Sequence, residues 1–245
     1  MINILIPMAG RSQFFENSNY LFTRPLVEVA GKPMIQWVIE NLNQISDDIN
    51  FIFIVNDHDC RKFHLDNVLM LLTDNKATII KIDKDTGGAA CSAMLAIEHI
   101  CNDDELVISN SDQYFECELK PFIQDFQERK LDGGVICFES VHPRWSFARM
   151  DKDGNVIETS EKKPISNDAI AGLFYFRKGE DFIESAKASI YKDASVDGSY
   201  YIAPVMNEMV LAGKKLGAKA VSNDLYHTFY SPQMIEEFLG KLNRA

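Results

Sequence analysis

MINILIPMAGRSQFFENSNYLFTRPLVEVAGKPMI, residues 1–35, decides the fold. The apolar run Ile2 to Pro7 has the length and β-branched content of a buried strand. It breaks at once into a loop that holds Gly10 and gathers Arg11, Arg24 and Lys32 before the next apolar stripe. Ile35, Val38, Ile39 and Leu42 then recur at the i, i+3, i+4, i+7 spacing of a helix with one buried face. A loop between strand and helix that carries a glycine and several cations suits phosphate binding. Glycine lets the backbone approach closely, and the cations supply charge-assisted hydrogen bonds. Solvated surface cations are the competing reading.

Working outward, Phe51 to Asn56, Ala77 to Ile82, Glu105 to Asn110 and Gly134 to Glu139 read as further strands, with helices between them; Ala93, Ile97 and Ile100 sketch one more helical stripe. Strand and helix in alternation predict an α/β fold: a mostly parallel, mixed central sheet with helices on both faces. Ligands of such sheets sit beyond the carboxyl ends of the strands, which singles out the opening loop, KDTGGAA (84–90) and NSDQ (110–113). Further on, residues 146–164 predict a hairpin turning at Asp153-Gly154-Asn155, and 169–179 another strand. Phe182, Ile183, Ala186 and Ile190 fit a helix, and Ser231-Pro232 opens the last one.

The chain has 245 residues, 46% of them hydrophobic, and no repeat or flexible linker divides it, so one domain over residues 1–245 is expected. A net charge of −11 argues against a nucleic-acid partner. No stretch approaches the length of a membrane span, the first apolar run is too short for a signal peptide, and the five cysteines show no metal-site or disulfide spacing. These features predict a cytoplasmic protein with reduced thiols and no membrane partner. A homo-oligomer is compatible with them.

Asp112 directly follows an apolar strand, where a carboxylate can hold Mg²⁺, an ion that takes one or two carboxylates plus phosphate oxygens and waters. A turn-forming or capping Asp is the bland alternative. Glu161, Lys162 and Lys163 precede Pro164 at a strand end; neighbouring strand residues face opposite ways, so one lysine at most is expected to enter a site. A charged edge strand is the competing reading.

The succession MAGR…TRPLVEVAGKPMI, TGGAACSA, NSDQ, EKKPIS and AGLFYF, in this order and across essentially the whole chain, resembles the nucleotidyltransferases that activate sugar phosphates and related metabolites. The resemblance implies a Rossmann-like, GT-A-type fold. It implies a nucleotide held by Met8, Ala9, Gly10, Arg11 and Arg24 on one side and by Gly87, Gly88 and Ala89 on the other. It further implies Arg11, Arg24 and Asp112 as catalytic residues, and an acceptor phosphate near Lys162 or Lys163 with Gly172 close by. Within the family the resemblance is to bacterial surface-glycan and capsule cytidylyltransferases, including the type that charges phosphoglutamine. The expected reaction joins an NTP, CTP favoured, to a phosphorylated small metabolite and releases pyrophosphate, with Mg²⁺ as cofactor. Three departures stand out: Ser12 replaces a family glycine, Arg24 replaces a lysine, and the second metal-binding Asp has only Asp224, with His227 or Thr228 nearer its place. A GT-A glycosyltransferase is disfavoured, because Asn110-Ser111-Asp112 is not a D-x-D pair; a nucleotide-binding protein without turnover is the remaining alternative.

Overall fold

The structure is a computed structural model that describes residues 1–10, 13–16 and 20–243. In chain order it runs β1 (Ile2–Pro7), α1 (Gln13–Glu16), a 3-10 turn at Arg24–Leu26, β2 (Glu28–Val29), β3 (Lys32–Pro33), α2 (Met34–Leu42), β4 (Ile49–Asn56), α3 (Asp57–Phe63), α4 (Leu65–Leu72) and β5 (Thr78–Ile82). There follow α5 (Ala89–Met94), α6 (Ile97–Ile100), β6 (Glu105–Ser109), β7 (Gln113–Phe115), α7 (Lys120–Glu128), β8 (Gly133–Glu139), β9 (Ser146–Met150) and β10 (Val156–Glu161). The chain closes with β11 (Asp168–Phe176), α8 (Gly179–Tyr191), α9 (Ile202–Leu211), β12 (Leu216–Ala220), β13 (Tyr226–Thr228) and α10 (Pro232–Leu242).

The central sheet has the order β10-β9-β11-β6-β1-β4-β5, with β8 also on β11 and β12 on β8. The half built from β5, β4, β1 and β6 is parallel. β11 then enters antiparallel between β6 and β8, and β9 and β10 form an antiparallel hairpin, so the sheet is mixed, as expected. Alternate residues of β1 point to opposite faces. Ile4 and Ile6 pack with Ile35, Val38 and Ile39 of α2 and with Ile123 and Phe126 of α7, whereas Leu5 packs with Ala90 and Ala93 of α5, Phe182 and Ile183 of α8 and Met206 of α9. Both faces are therefore covered by helices, which is why residues 51–55 of β4 read as an unbroken apolar run.

The stripe Ala93, Ile97, Ile100 is not one helix. The amides of Leu95 and Ala96 bond the carbonyls of Ser92 and Ala93, tightening the chain to a 3-10 turn that separates α5 from α6. None of the five cysteines forms a disulfide. No helix among the described residues is long and apolar enough to cross a membrane.

β7 and β13 make a separate two-stranded ribbon beside the main sheet, and it carries the chain just after Asp112. Buried Asn41 of α2 fixes this ribbon: its side-chain amide donates to the Phe115 carbonyl and its oxygen accepts the Phe115 N–H, both at 2.9 Å. Removing it leaves two buried backbone groups without partners. Asn41→Leu is expected to lower stability by about 2–3 kcal/mol, read by denaturant unfolding; a loss under 0.5 kcal/mol or so would mean that the ribbon is held by its apolar contacts alone.

Candidate functional site

The loops after β1, β4 and β5 meet at a cleft of about 520 Å³. Met8, Ala9, Gly10, Thr23 and Arg24 line it from the opening segment, Asn56, His58, Asp59 and Lys62 from the end of β4 and α3, and Asp83 from the end of β5. Its size suits a nucleotide-sized ligand. Met8 is placed by its own N–H, which bonds the Ile54 carbonyl at 2.9 Å and prolongs the β1–β4 pairing. The Thr23 hydroxyl donates to Asp59 at 2.7 Å and so ties the opening segment to α3. Arg11 lies outside the described residues. Lys32, expected with the other cations, is absent from the cleft: its ammonium pairs with Glu40 at 2.6 Å and sits over the Trp37 ring.

Arg24 opens a 3-10 turn with Pro25 in its first helical positions, and its guanidinium reaches the segment between β6 and β7. One nitrogen donates to the Asp112 carboxylate and another to the Ser111 hydroxyl, each at 3.2 Å. Both side chains of the ion pair are largely buried, 19% and 10% exposed, so solvent screens it less than a surface pair. The Asp112 carbonyl in turn accepts the Phe229 N–H at 2.6 Å, which seats the loop on the end of β13. The residue expected to bind phosphate and the residue expected to hold metal are thus direct neighbours.

Asp224 does not join them. It stands exposed before β13, where the Ser222 hydroxyl donates to it, while β13 runs from Tyr226 opposite Phe115 to Thr228 opposite Gln113. Asp224 therefore sits at the far end of the ribbon from Asp112. His227 is buried, lies 3.0 Å from Glu116 and stacks on Tyr114, and burial pushes its pKa down. Among the described residues no group of three or more His, Cys, Asp or Glu is arranged to hold a metal. Beside Arg24 the carboxylate open to a divalent cation is Asp112, whose second oxygen has no hydrogen bond among the described residues, while Asp59 and Asp83 line the cleft from α3 and the end of β5. That fits an ion completed by substrate phosphates and water.

Gly87, Gly88 and Ala89 stand outside the lining of the 520 Å³ cleft. Their loop is bound to the backbone of Tyr200, whose N–H donates to the Gly87 carbonyl at 2.7 Å and whose carbonyl accepts the Ala90 N–H at 3.0 Å. Gly88 has φ +121°, and a Cβ there would fall 2.4 Å from the Tyr200 oxygen, so this close passage excludes any side chain.

The two lysines do not obey strand alternation, because β10 ends at Glu161 and Lys162 adopts a left-handed φ of +57°. Lys162 pairs with Asp197 at 3.1 Å and sits over the Tyr201 ring at 5.1 Å. Tyr201 and the Asp197 carboxylate beside it hold its ammonium above the usual lysine range. The Lys163 carbonyl accepts the Ser160 hydroxyl, while its ammonium has no ion pair among the described residues. Gly172 has φ +66° at an irregularity in β11, where a Cβ would lie 2.2 Å from Gln113 Oε1 and 2.3 Å from Asn110 Nδ2. Its carbonyl accepts the Asn110 N–H at 3.0 Å and the Gln113 side-chain amide at 3.1 Å, so Gly172 is packed directly against the Asp112 loop.

Ser111, Asp59, Asp197, Tyr200 and Tyr201 escape sequence reasoning; only Ser111 had a signal, its place inside NSDQ. Gly172→Ala is expected to cost about 3 kcal/mol, from the left-handed backbone and from overpacking against Asn110 and Gln113. Thermal unfolding at matched conditions checks it, and a change under about 1 kcal/mol would show that the two amides have room to move.

The family model described as Nucleotidyl transferase matches residues 20–219. A bifunctional protein GlmU of Methanocaldococcus jannaschii is 24% identical over 192 residues, 77% of this chain, and the chain spans only 43% of that relative's length. The crystal structure of a nucleoside-diphosphate-sugar pyrophosphorylase from Vibrio cholerae RC9 is similar with a TM-score of 0.85 at 23% identity, covering 97% of this chain and 99% of the other. An inositol-1-phosphate CTP transferase from T. maritima is similar with a TM-score of 0.76 at 13% identity, covering 98% of this chain and 94% of the other. With four-fifths of its length inside the matched region, a mixed central sheet and a cleft at the strand ends, the chain belongs to the nucleotidyl transferase family.

Proposed function

We propose that this chain catalyses attack of an acceptor's phosphate oxygen on the α-phosphorus of an NTP, with pyrophosphate leaving. The observation that carries the reading is the Arg24–Asp112 pair beside the cleft: it sets a five-donor cation and a carboxylate side by side, where a metal-bound triphosphate needs both. Asp112 would hold Mg²⁺, which neutralises phosphate charge when bound. Arg24 would turn its donors toward the α-phosphoryl and the departing pyrophosphate, Arg11 would add its charge from the opening loop, and Lys162 or Lys163 would dock the acceptor's phosphate. The nucleophile is already anionic, so positioning and charge neutralisation supply most of the rate and little acid–base work is required.

CTP is the favoured nucleotide, on the strength of the resemblance to surface-glycan cytidylyltransferases, and phosphoglutamine, phosphocholine and sugar 1-phosphates are the acceptors to try. Such a reaction would serve capsule or surface-glycan synthesis, in the cytoplasm where NTPs are found. A matrix of the four NTPs and dTTP against these acceptors, with pyrophosphate as readout, tests the activity. Nucleotide binding without pyrophosphate release from any pair would replace the reading with that of a binding protein.

Asp112→Asn keeps the shape and removes the charge, so it is expected to abolish turnover while the fold stays intact, with some fall in Tm because Arg24 loses its anionic partner; near wild-type rate with the same Mg²⁺ dependence removes Asp112 from the site. Arg24→Ala is expected to lower kcat by about 100-fold or more while weakening NTP binding much less, since its donors act most on charge that moves in the transition state. Arg24→Lys restores charge but not the fork that meets Asp112 and Ser111, so only partial recovery is expected. Steady-state kinetics beside calorimetric NTP binding decide; wild-type kcat in Arg24→Ala makes this residue a structural partner of Asp112 alone.

A further inference from the structure

The Gly87–Ala90 loop and Lys162, expected on opposite substrates, are gripped by one short segment between α8 and α9. Val196 and Ser199 exchange backbone hydrogen bonds of 2.9 and 3.0 Å around Asp197 and Gly198, both at positive φ, the form of a two-residue turn with Asp-Gly at its tip. That turn presents the Asp197 carboxylate to the Lys162 ammonium at 3.1 Å. Three residues on from Asp197, the Tyr200 backbone brackets Gly88 with its two bonds, and the next ring, Tyr201, lies under the same ammonium. The Tyr200 hydroxyl is braced by Asp193 at 2.8 Å. Behind Lys162, β10 is bolted to α9: Asn207 accepts the Thr159 N–H at 2.7 Å and returns a bond to its carbonyl at 2.9 Å.

We propose that the Val196–Tyr201 segment is a clamp that sets Lys162 at a fixed place relative to the glycine loop, with Asp197 and Tyr201 as positioning residues for an acceptor phosphate. This rests on the reading above that Lys162 meets that phosphate. A free lysine has four rotatable bonds to order when an anion arrives; the carboxylate and the ring order them in advance, and the ammonium keeps a donor for the phosphate because it has three. The left-handed backbone of Lys162 fits this role, since it carries the side chain out of the strand's pleat toward the turn. Lys163, with no such partners, is the internal comparison.

The test uses the full chain in two measurements. Brief acetylation with acetic anhydride, mapped by mass spectrometry, is expected to label Lys162 several-fold more slowly than Lys163, because its ammonium is paired with Asp197 and covered by the Tyr201 ring. Asp197→Ala should close most of that gap and Asp197→Glu should restore part of it. In steady-state kinetics with the NTP and acceptor that the matrix selects, Asp197→Ala and Lys162→Ala should each raise the acceptor KM about tenfold. The NTP KM should stay at the wild-type value, and Asp197→Glu, placed on the same left-handed backbone as Asp197→Ala, should recover part of the loss. Equal labelling of Lys162 in wild type and Asp197→Ala overturns the clamp, as does an acceptor KM that moves in Lys162→Ala but not in Asp197→Ala. A matching rise in NTP KM makes the segment merely structural and also overturns it. An unchanged acceptor KM in Lys162→Ala removes the lysine from the acceptor site, a failure of the premise that the labelling result tells apart.

Discussion

The antiparallel seam between β6 and β11 is the joint on which the rest depends. On one side of it lies the parallel half of the sheet, whose strand ends shape the cleft; on the other lie β8 to β10, which carry Lys162. The seam closes at Gly172, where only a residue without Cβ lets Asn110 and Gln113 lie against the backbone. Those two amides bracket Ser111 and Asp112, so a backbone requirement in β11 determines where the acidic group of the site stands. The β7–β13 ribbon, held from behind by Asn41, supports the same loop from its other end.

Two cations assigned to phosphates, Arg24 and Lys162, are each engaged by a carboxylate, Asp112 and Asp197. In a chain with a net charge of −11 this is how positive charge is kept at chosen points. A long cationic side chain left alone would sample many rotamers, and the anionic partner narrows them before any substrate arrives. The exposed Lys162–Asp197 pair contributes little to stability, whereas the Arg24–Asp112 pair is largely buried and costly to break from one side alone. Under the proposed reaction both cations keep donors that a phosphate could share, which suits a reaction that relies on placement of charge more than on proton transfer.

The elements were legible in the sequence where a repeating pattern reports its own surroundings. β1 was read with its observed bounds, and the buried stripe of α2 and the hairpin at Asp153-Gly154-Asn155 followed the same logic, since alternation, the 3.6-residue period and turn chemistry are local properties. The mixed, two-faced sheet followed from their order. Local reasoning failed where the backbone left the regular period, at the break between α5 and α6 and at Lys162, where a left-handed residue cancels strand alternation. It also failed for Lys32, whose partners Trp37 and Glu40 are close in sequence, because grouping it with the loop's other cations overlooked that α2 presents both residues back to it.

The sequence by itself determined the class of fold, the loops that lie at the strand ends and the residue types gathered in them. The tertiary structure decided the pairings: Arg24 with Asp112, 88 residues apart, Lys162 with Asp197, 35 apart, and Gly88 with Tyr200. It also decided that Asp224, a plausible ligand by order along the chain, stands before β13, at the end of the ribbon away from Asp112. The physical reason is the same in each case. Hydrophobic periodicity is written over neighbouring residues, whereas a charge pair or a close backbone passage depends on where a distant segment returns, and only the packed sheet fixes that return.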